Sequence, residues 1–561
     1  VLREISSTRF SCNVSFLIEI GAFVVGKTDI NAKLVWFAWW ALAIIVFALV
    51  IAIRIRLLGI PLERDEGEYA YAGQLIMQGI PPYKLAYNMK FPGTYAAYAL
   101  IMSIFGQTIH AIHLGLLLVN AATIALIFLL GRRLIDSTAG IAAAASYAVL
   151  SVCPSVLGLA AHATNFAMLP VLGGTLLILK ISESKHDTFG LLFVSGLLFG
   201  LGGLMKQPAL LFIPFGASYI AWKDAHGRFP LKIIVARILV FALGIIVPIA
   251  ITCLILWRAG VIDKFWFWTI DYAWQYGRLV PLAQAPAILF RSINFVIGSS
   301  WPIWMLAAIG AVVGFWDRRM RASTLFLTGF FFFSALALCP GFYFRTHYFI
   351  LILPAISLLV GCAIASLCQA LASQMILIRF VPLLLLTASL SLPILSDRRF
   401  FFEASPMEAC RMVYPESPFP ESIRIADYIG KHTEPDDTIA VLGSEPQIYF
   451  YAKRHSATGY IYTYGLMEPQ RYAHQMQEEM ILEIESARPK YLVSVLMNDS
   501  WLYRSQSDAR IFTWANEYTA ENYDAAGFVN ITPTRTDYFF GDVPPTAESL
   551  KNYILIYRRK L

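Results

Sequence analysis

The run LVWFAWWALAIIVFALVIAI, residues 34–53, carries no charge. At ~1.5 Å rise per residue, about twenty helical residues cover a ~30 Å hydrocarbon layer. Inside lipid every backbone N–H and C=O must be satisfied within the segment, so such a run folds as a membrane-crossing helix. Further apolar runs follow near 109–131, 138–158, 163–181, 188–204, 208–222, 233–257, 293–316, 322–339, 347–369 and 380–395. Together these predict about eleven membrane helices. The stretch PGTYAAYALIMSIFG, residues 92–106, is short for a span and reads as a re-entrant or interfacial helix. Composition agrees with this class. Of 561 residues, 58% are hydrophobic and 14% charged, against about a quarter charged in soluble domains.

The positive charges fall unevenly between the runs. Arg132, Arg133, Lys180, Lys185, Lys223, Arg228, Lys232, Arg318, Arg319 and Arg321, with Arg3, Arg9, Lys27 and Lys33, map to one side of an eleven-span topology. The positive-inside rule makes that side the cytoplasm. Residues 1–33 then form a cytoplasmic segment without a secretory signal, and 34–395 a transmembrane domain. Loops 59–108 and 258–292, and everything after 396, lie outside. The net charge of +7 follows this membrane pattern and gives no reason to expect nucleic acid as a partner. The seven cysteines are scattered, contain no CxxC and imply no disulfide framework.

Residues 396–561 change character. SIRIADYIGKHTEPDDTIAVLG reads as helix, polar turn and buried strand. PQRYAHQMQEEMILEIESARPKYLVSVL reads as amphipathic helix, turn and strand, and NYILIY as a third strand. This is an extracytoplasmic α/β domain large enough for its own core. VLGSEPQ contains no G-x-G-x-x-G, so no dinucleotide site is expected. The aromatic run YFYAKRHSATGYIYTYG serves packing first and a sugar- or membrane-facing surface second.

The external segments hold most of the chemistry. In IPLERDEGEYAYAGQLIMQG, Glu63, Arg64, Asp65, Glu66 and Glu68 precede apolar residues at helical spacing, Tyr69, Ala72, Leu75 and Ile76. That pattern predicts an amphipathic helix lying on the outer membrane surface. One acid would suffice to cap it; three exceed that need. Lys84 and Lys90 follow among aromatics and prolines. Lys206 in GLMKQPALL, His162 in LAAHATNFAML, and Arg345 and His347 in YFRTHYFILILP interrupt apolar stretches on the same face. Taken singly, each fits an interfacial anchor. Their shared face points to a cavity, because ionisable groups near lipid require partners. Cations would bind a lipid-linked phosphate and stabilise it as it leaves. A carboxylate would take a proton from an incoming hydroxyl or amine. The same carboxylates could hold a divalent cation. Trp266, Trp268, Tyr272, Trp274 and Tyr276 read as an interfacial aromatic belt, or as a surface for a polyprenyl chain or sugar.

The segments RDEGEYAY, MKFPGTYAAYALIMSIFG, LLGRRLIDSTAGIAAAASYAVLSVCPSVL, GLLFGLGGLMKQPALL and RTHYFILILPA, in that order, carry a resemblance. The chain is similar to the C-type polytopic membrane glycosyltransferases. Specifically, it resembles the bacterial relatives of the dolichyl-phosphate-mannose protein mannosyltransferases and of the enzyme that adds aminoarabinose to lipid A. The resemblance implies transfer, with inversion, of a sugar from a polyprenyl-phosphate donor to an extracytoplasmic acceptor. It implies Asp65 as catalytic base with Glu66 beside it, and Lys90 and Lys206 at the donor phosphate. Arg345, His347, His162 and Lys84 complete the expected substrate-binding set, with Arg278 or Arg291 standing in for a family arginine. The chain departs from the family at Phe91–Pro92, where two prolines are usual, and at His162, where an acid is common. The competing reading is a transporter or flippase of lipid-linked oligosaccharide. It would place charges at mid-span and show paired halves, and neither is seen. A sensor anchored by its helices would not need about eleven spans.

Overall fold

The computed structural model describes residues 30–181, 188–316, 320–532, 535–541 and 551–560. Of the basic residues used for topology, Arg3, Arg9, Lys27, Lys185, Arg318 and Arg319, and the side chain of Arg321, lie outside the described residues.

Among the described residues, seven helical stretches are long and apolar enough to cross a membrane: Ala32–Arg56, Ile109–Leu134, Ala163–Ile181, Leu231–Arg258, Leu282–Trp316, Leu353–Ala370 and Ile376–Ser396. Shorter apolar helices are Gly93–Phe105, Ser137–Leu150, Phe189–Met205 and Ser323–Leu336. Phe212–His226 occupies another of the runs expected to span. Each run is helical, but several ends move. The 138–158 run stops at Leu150 and continues as a short 3-10 turn, Pro154–Val156. The 347–369 run begins with a 3-10 turn, Thr346–Leu351, and its α-helix starts only at Leu353, with Pro354 in the first turn. The stretch Leu282–Trp316 breaks at Gly298, where φ is 34°. The first two breaks adjoin His162 and His347 in the chain.

The helix Arg64–Met77 forms as the spacing predicts, but it does not lie on a membrane surface. Residues from Glu66 to Leu75 are buried without exception. Its apolar residues share one core with Ile425, Val441 and Tyr449 of the C-terminal domain and with Tyr95 and Met102 of the following helix. The reason is its small residues. A Cβ on Gly67 would stand 2.6 Å from the Gln447 backbone nitrogen, and only glycine lets the two backbones approach. Amphipathic spacing reports one apolar face; it cannot report that the opposite face is covered by a domain more than 300 residues later in the chain.

The C-terminal domain carries a six-stranded sheet of order β2-β1-β3-β6-β4-β5. The strands are β1 Thr438–Leu442, β2 His455–Ser456, β3 Tyr491–Leu496, β4 Tyr523–Ile531, β5 Thr536–Phe540 and β6 Tyr553–Arg559. β1 pairs in parallel with β2 and β3, while the remaining pairings are antiparallel. The predicted helices appear as Phe419–Lys431 and Ala473–Ala487. Residues just after 396 still belong to the membrane part: Phe400, Phe401, Ala409 and Cys410 are buried in its core.

Candidate active site

The acidic cluster divides into two pairs. Glu63 is the N-cap of the helix Arg64–Met77: its carboxylate accepts from the Glu66 N–H at 2.9 Å, and Glu66 accepts from the Glu63 N–H at 3.2 Å. This is a capping box built from two acids. Glu66 also accepts from the Ala161 N–H at 2.6 Å and lies 3.0 Å from His113 Nε2. It is fully engaged behind the helix terminus, so its place is structural rather than beside Asp65 in a reaction.

Asp65 and Glu68 face the other way and share Lys90. Lys90 Nζ donates to Asp65 Oδ1 at 2.8 Å and to Glu68 Oε2 at 2.6 Å. Glu68 also accepts from Asn88 at 2.8 Å and from the Tyr95 hydroxyl at 2.5 Å. The ammonium stands over the rings of Tyr69 and Tyr462, at 4.7 and 5.4 Å from their centroids. Burial would raise the Asp65 carboxyl, but the surrounding cations, Lys90 foremost, outweigh it and hold the group well below the usual range.

Lys206 ends the helix Phe189–Met205 in an extended conformation, φ −150° and ψ 122°. Its ammonium lies over the Tyr348 ring at 4.7 Å. Burial pushes its pKa down to about 8. The rings of His162 and His347 stack at 4.2 Å. Burial lowers both, His162 to about 4. Among the described residues neither His162 ring nitrogen has a hydrogen-bond partner; Nδ1 lies 3.6 Å from Glu63 Oε1 and 3.9 Å from Asp65 Oδ2.

Asp65, Lys90, His162, Lys206, Arg345 and His347 all line one cavity of 1170 Å³. Six side chains predicted from separate stretches thus converge. Three do not join them. Lys84 is exposed and away from the cavity. Arg278 stacks on Trp274 and Arg291 is exposed, and neither lines the cavity. Their loop positions gave no sign of direction, which depends on the fold of the following helix.

Sequence reasoning missed that the C-terminal domain forms a wall of this cavity. Tyr462, Tyr464, Glu468 and Asp499 line it. The Tyr462 hydroxyl reaches Asp65 Oδ1 at 3.4 Å. Arg64 ties the two parts together, donating to the Ser444 carbonyl at 2.6 Å, the Tyr464 hydroxyl at 2.6 Å and Glu445 at 2.9 Å. A second tie holds the Lys90 loop. The Tyr87 N–H donates to the Gly459 carbonyl at 2.7 Å, and its hydroxyl to Glu483 at 2.9 Å. Glu483 in turn accepts from the Gly459 N–H at 2.9 Å. The aromatic run around Tyr460 was the available signal: its Tyr462 and Tyr464 line the cavity, while Tyr449, Tyr451 and Tyr460 serve packing.

Ligand atoms of Asp65, His162 and His347 lie within 4.8 Å of one another. One carboxylate and two imidazoles fit a divalent transition ion better than the all-oxygen set expected from the acidic loop. When bound, such an ion would supply positive charge beside the reacting groups.

Comparison with known proteins gives the fold. The family model for dolichyl-phosphate-mannose-protein mannosyltransferase matches residues 90–252. No curated protein matches the chain. The Archaeoglobus fulgidus oligosaccharyltransferase tethered with an acceptor peptide is similar over 90% of this chain and 74% of its own, with 12% identity and a TM-score of 0.54. The same enzyme in complex with Zn and sulfate aligns over 89% of this chain and 72% of its own, with 13% identity and a TM-score of 0.51. ArnT from Cupriavidus metallidurans bound to undecaprenyl phosphate aligns over 94% and 98%, with 13% identity and a TM-score of 0.52. The chain therefore has the C-type fold of polytopic membrane glycosyltransferases: a multi-pass helical domain followed by an α/β domain.

Proposed function

We propose that this protein transfers a sugar from a polyprenyl-phosphate carrier to an extracytoplasmic acceptor, with inversion at the anomeric carbon. The observation that carries the reading is the convergence of Lys90, Lys206 and Arg345 with Asp65 on one large cavity. The solved structures of the same fold with undecaprenyl phosphate or an acceptor peptide support the kinds of ligand. The loop charges support an outward-facing cavity.

The chemistry runs as follows. The donor phosphate enters among Lys90, Lys206 and Arg345. It competes with Asp65 for the Lys90 ammonium and so releases one Asp65 oxygen. An acceptor hydroxyl or amine attacks the anomeric carbon from the face opposite the phosphate. The carbon–oxygen bond to phosphate breaks, and the phosphate leaves with the electron pair, neutralised by the cations. The acceptor proton passes to Asp65.

Titration of undecaprenyl phosphate into the nanodisc-embedded protein, followed by ³¹P NMR, tests the phosphate site. Wild type should bind, and Lys206→Gln and Arg345→Gln should each weaken binding roughly tenfold, or ~1.4 kcal/mol. Equal affinity in all three proteins would remove the cation cluster from the donor site and end this reading.

A further inference from the structure

One buried carboxylate on the cavity wall has no part in that chemistry. Glu468 sits on the C-terminal domain and is 7% exposed. Among the described residues it forms no ion pair, unlike Asp65 and Glu68, which both hold Lys90. Its one side-chain hydrogen bond among them comes from the Tyr272 hydroxyl, at 2.7 Å to Oε2. Tyr272 ends the single π-helical turn Phe267–Tyr272 of the long middle external segment, and it lines the same cavity. A π-turn inside a helix is rare and is found mostly at functional sites. A carboxylate removed from water without a cation is costly and calls for hydrogen-bond donors. Burial pushes Glu468 up to about 7, against the opposing hydrogen bond from Tyr272 and the charges of Arg504 and Arg345.

We propose that Glu468 and Tyr272 form a subsite for the adjacent hydroxyls of a sugar ring. The phenol spends its proton on Oε2, which leaves its oxygen lone pair and the second carboxylate oxygen as acceptors side by side. Vicinal hydroxyls present the matching pair of donors. The Tyr276 ring, stacked on Tyr343 at 4.5 Å, also lines the cavity and is of the kind that packs on a sugar's C–H surface. A phosphate would be repelled by this carboxylate, so the subsite complements the cationic end of the cavity. The volume of 1170 Å³ accommodates both, since pockets for a single drug-sized ligand run to about 1,000 Å³.

The assignment rests on the transferase reading, and the sugar ring could be the donor's own or that of a glycan acceptor. Three probes in nanodiscs separate these: undecaprenyl phosphate, undecaprenyl-phosphate glucose or mannose, and methyl glucoside or mannoside followed by saturation-transfer NMR. Glu468→Gln and Tyr272→Phe should bind undecaprenyl phosphate at least as tightly as wild type, which also shows that they fold. If the ring is the donor's, both variants lose roughly tenfold in affinity for the sugar-bearing lipid alone. If it is the acceptor's, both lose roughly tenfold for the methyl glycoside. Unchanged affinity for both sugar-bearing probes overturns the subsite. Failure of wild type to bind undecaprenyl phosphate would instead overturn the transferase reading, and the glycoside measurement would still decide the subsite.

Discussion

Replacing Lys90 with methionine isolates the ion pair at the centre of the site. Methionine keeps an unbranched side chain of similar length and removes the ammonium. Lys90 serves two carboxylates, Asp65 at 2.8 Å and Glu68 at 2.6 Å, and the Glu68 side chain is fully buried. Removing one partner of a buried pair costs about 3–5 kcal/mol, because the remaining charge is stranded. The Lys90 side chain retains 16% exposure, so water relieves part of this, and the lower end, about 3 kcal/mol, is expected. Glu68 is the costlier of the two acids left behind. Adding Glu68→Gln removes its charge while keeping an acceptor for the Tyr95 hydroxyl. The double variant should therefore recover about 1–2 kcal/mol of stability, a coupling typical of directly contacting residues. Donor binding and turnover should stay low in both, because the phosphate still lacks its cation. Unfolding in graded mixed micelles gives the stabilities, and release of polyprenyl phosphate gives the activity. Additivity of the two substitutions within ~0.5 kcal/mol would refute the shared-lysine argument.

Three further outcomes follow from the geometry. Gly459→Ala places a Cβ 2.3 Å from the Tyr87 ring and should displace the loop that carries Lys90; polyprenyl-phosphate affinity should fall roughly tenfold, with altered tryptophan emission because Tyr87 stacks on Trp268 at 5.7 Å. Glu468, raised to about 7 from an ordinary 4.5, binds its proton more tightly in the folded state, so stability is full below about pH 4.5 and falls as pH rises through 7. The loss amounts to about 3 kcal/mol and should be absent in Glu468→Gln, as thermal unfolding at pH 5 and pH 8 would show. Zinc or manganese should stabilise the protein, by about 2.7 kcal/mol at a hundredfold excess over Kd, and His347→Gln should abolish that gain in the same assay.

The helices were legible because lipid imposes a length and an absence of charge that any reader can count. The site was legible in part for the same reason: Lys206, His162, Arg345 and His347 each stand out against apolar neighbours, and they do meet. Direction was the hidden quantity. Glu66 and Asp65 are adjacent in sequence, yet one closes the capping box onto Glu63 and holds His113 while the other faces the cavity. Lys84 and Lys90 occupy one loop, yet only Lys90 reaches the acids. What the sequence concealed altogether was the interface. Nothing in the sequence sets Gly67 apart from any other helix glycine, yet it admits the Gln447 backbone. Glu468 and Tyr272 lie 196 positions apart, and no local period links them. Short strands were lost as well: β2 has two residues, too few for alternation to register.

The central claim is that Asp65 takes a proton while a polyprenyl phosphate leaves. Its most direct test is turnover of labelled polyprenyl-phosphate sugars, presented with an acceptor extract, by wild type and Asp65→Asn in the same lipid. The substitution keeps shape and removes charge and basicity. Wild type should release polyprenyl phosphate and place label on an acceptor, whereas Asp65→Asn should bind the donor and lose at least a hundredfold in rate, the size usual for a general base. Turnover by Asp65→Asn at the wild-type rate would contradict the account and leave the acidic cluster with a purely structural part.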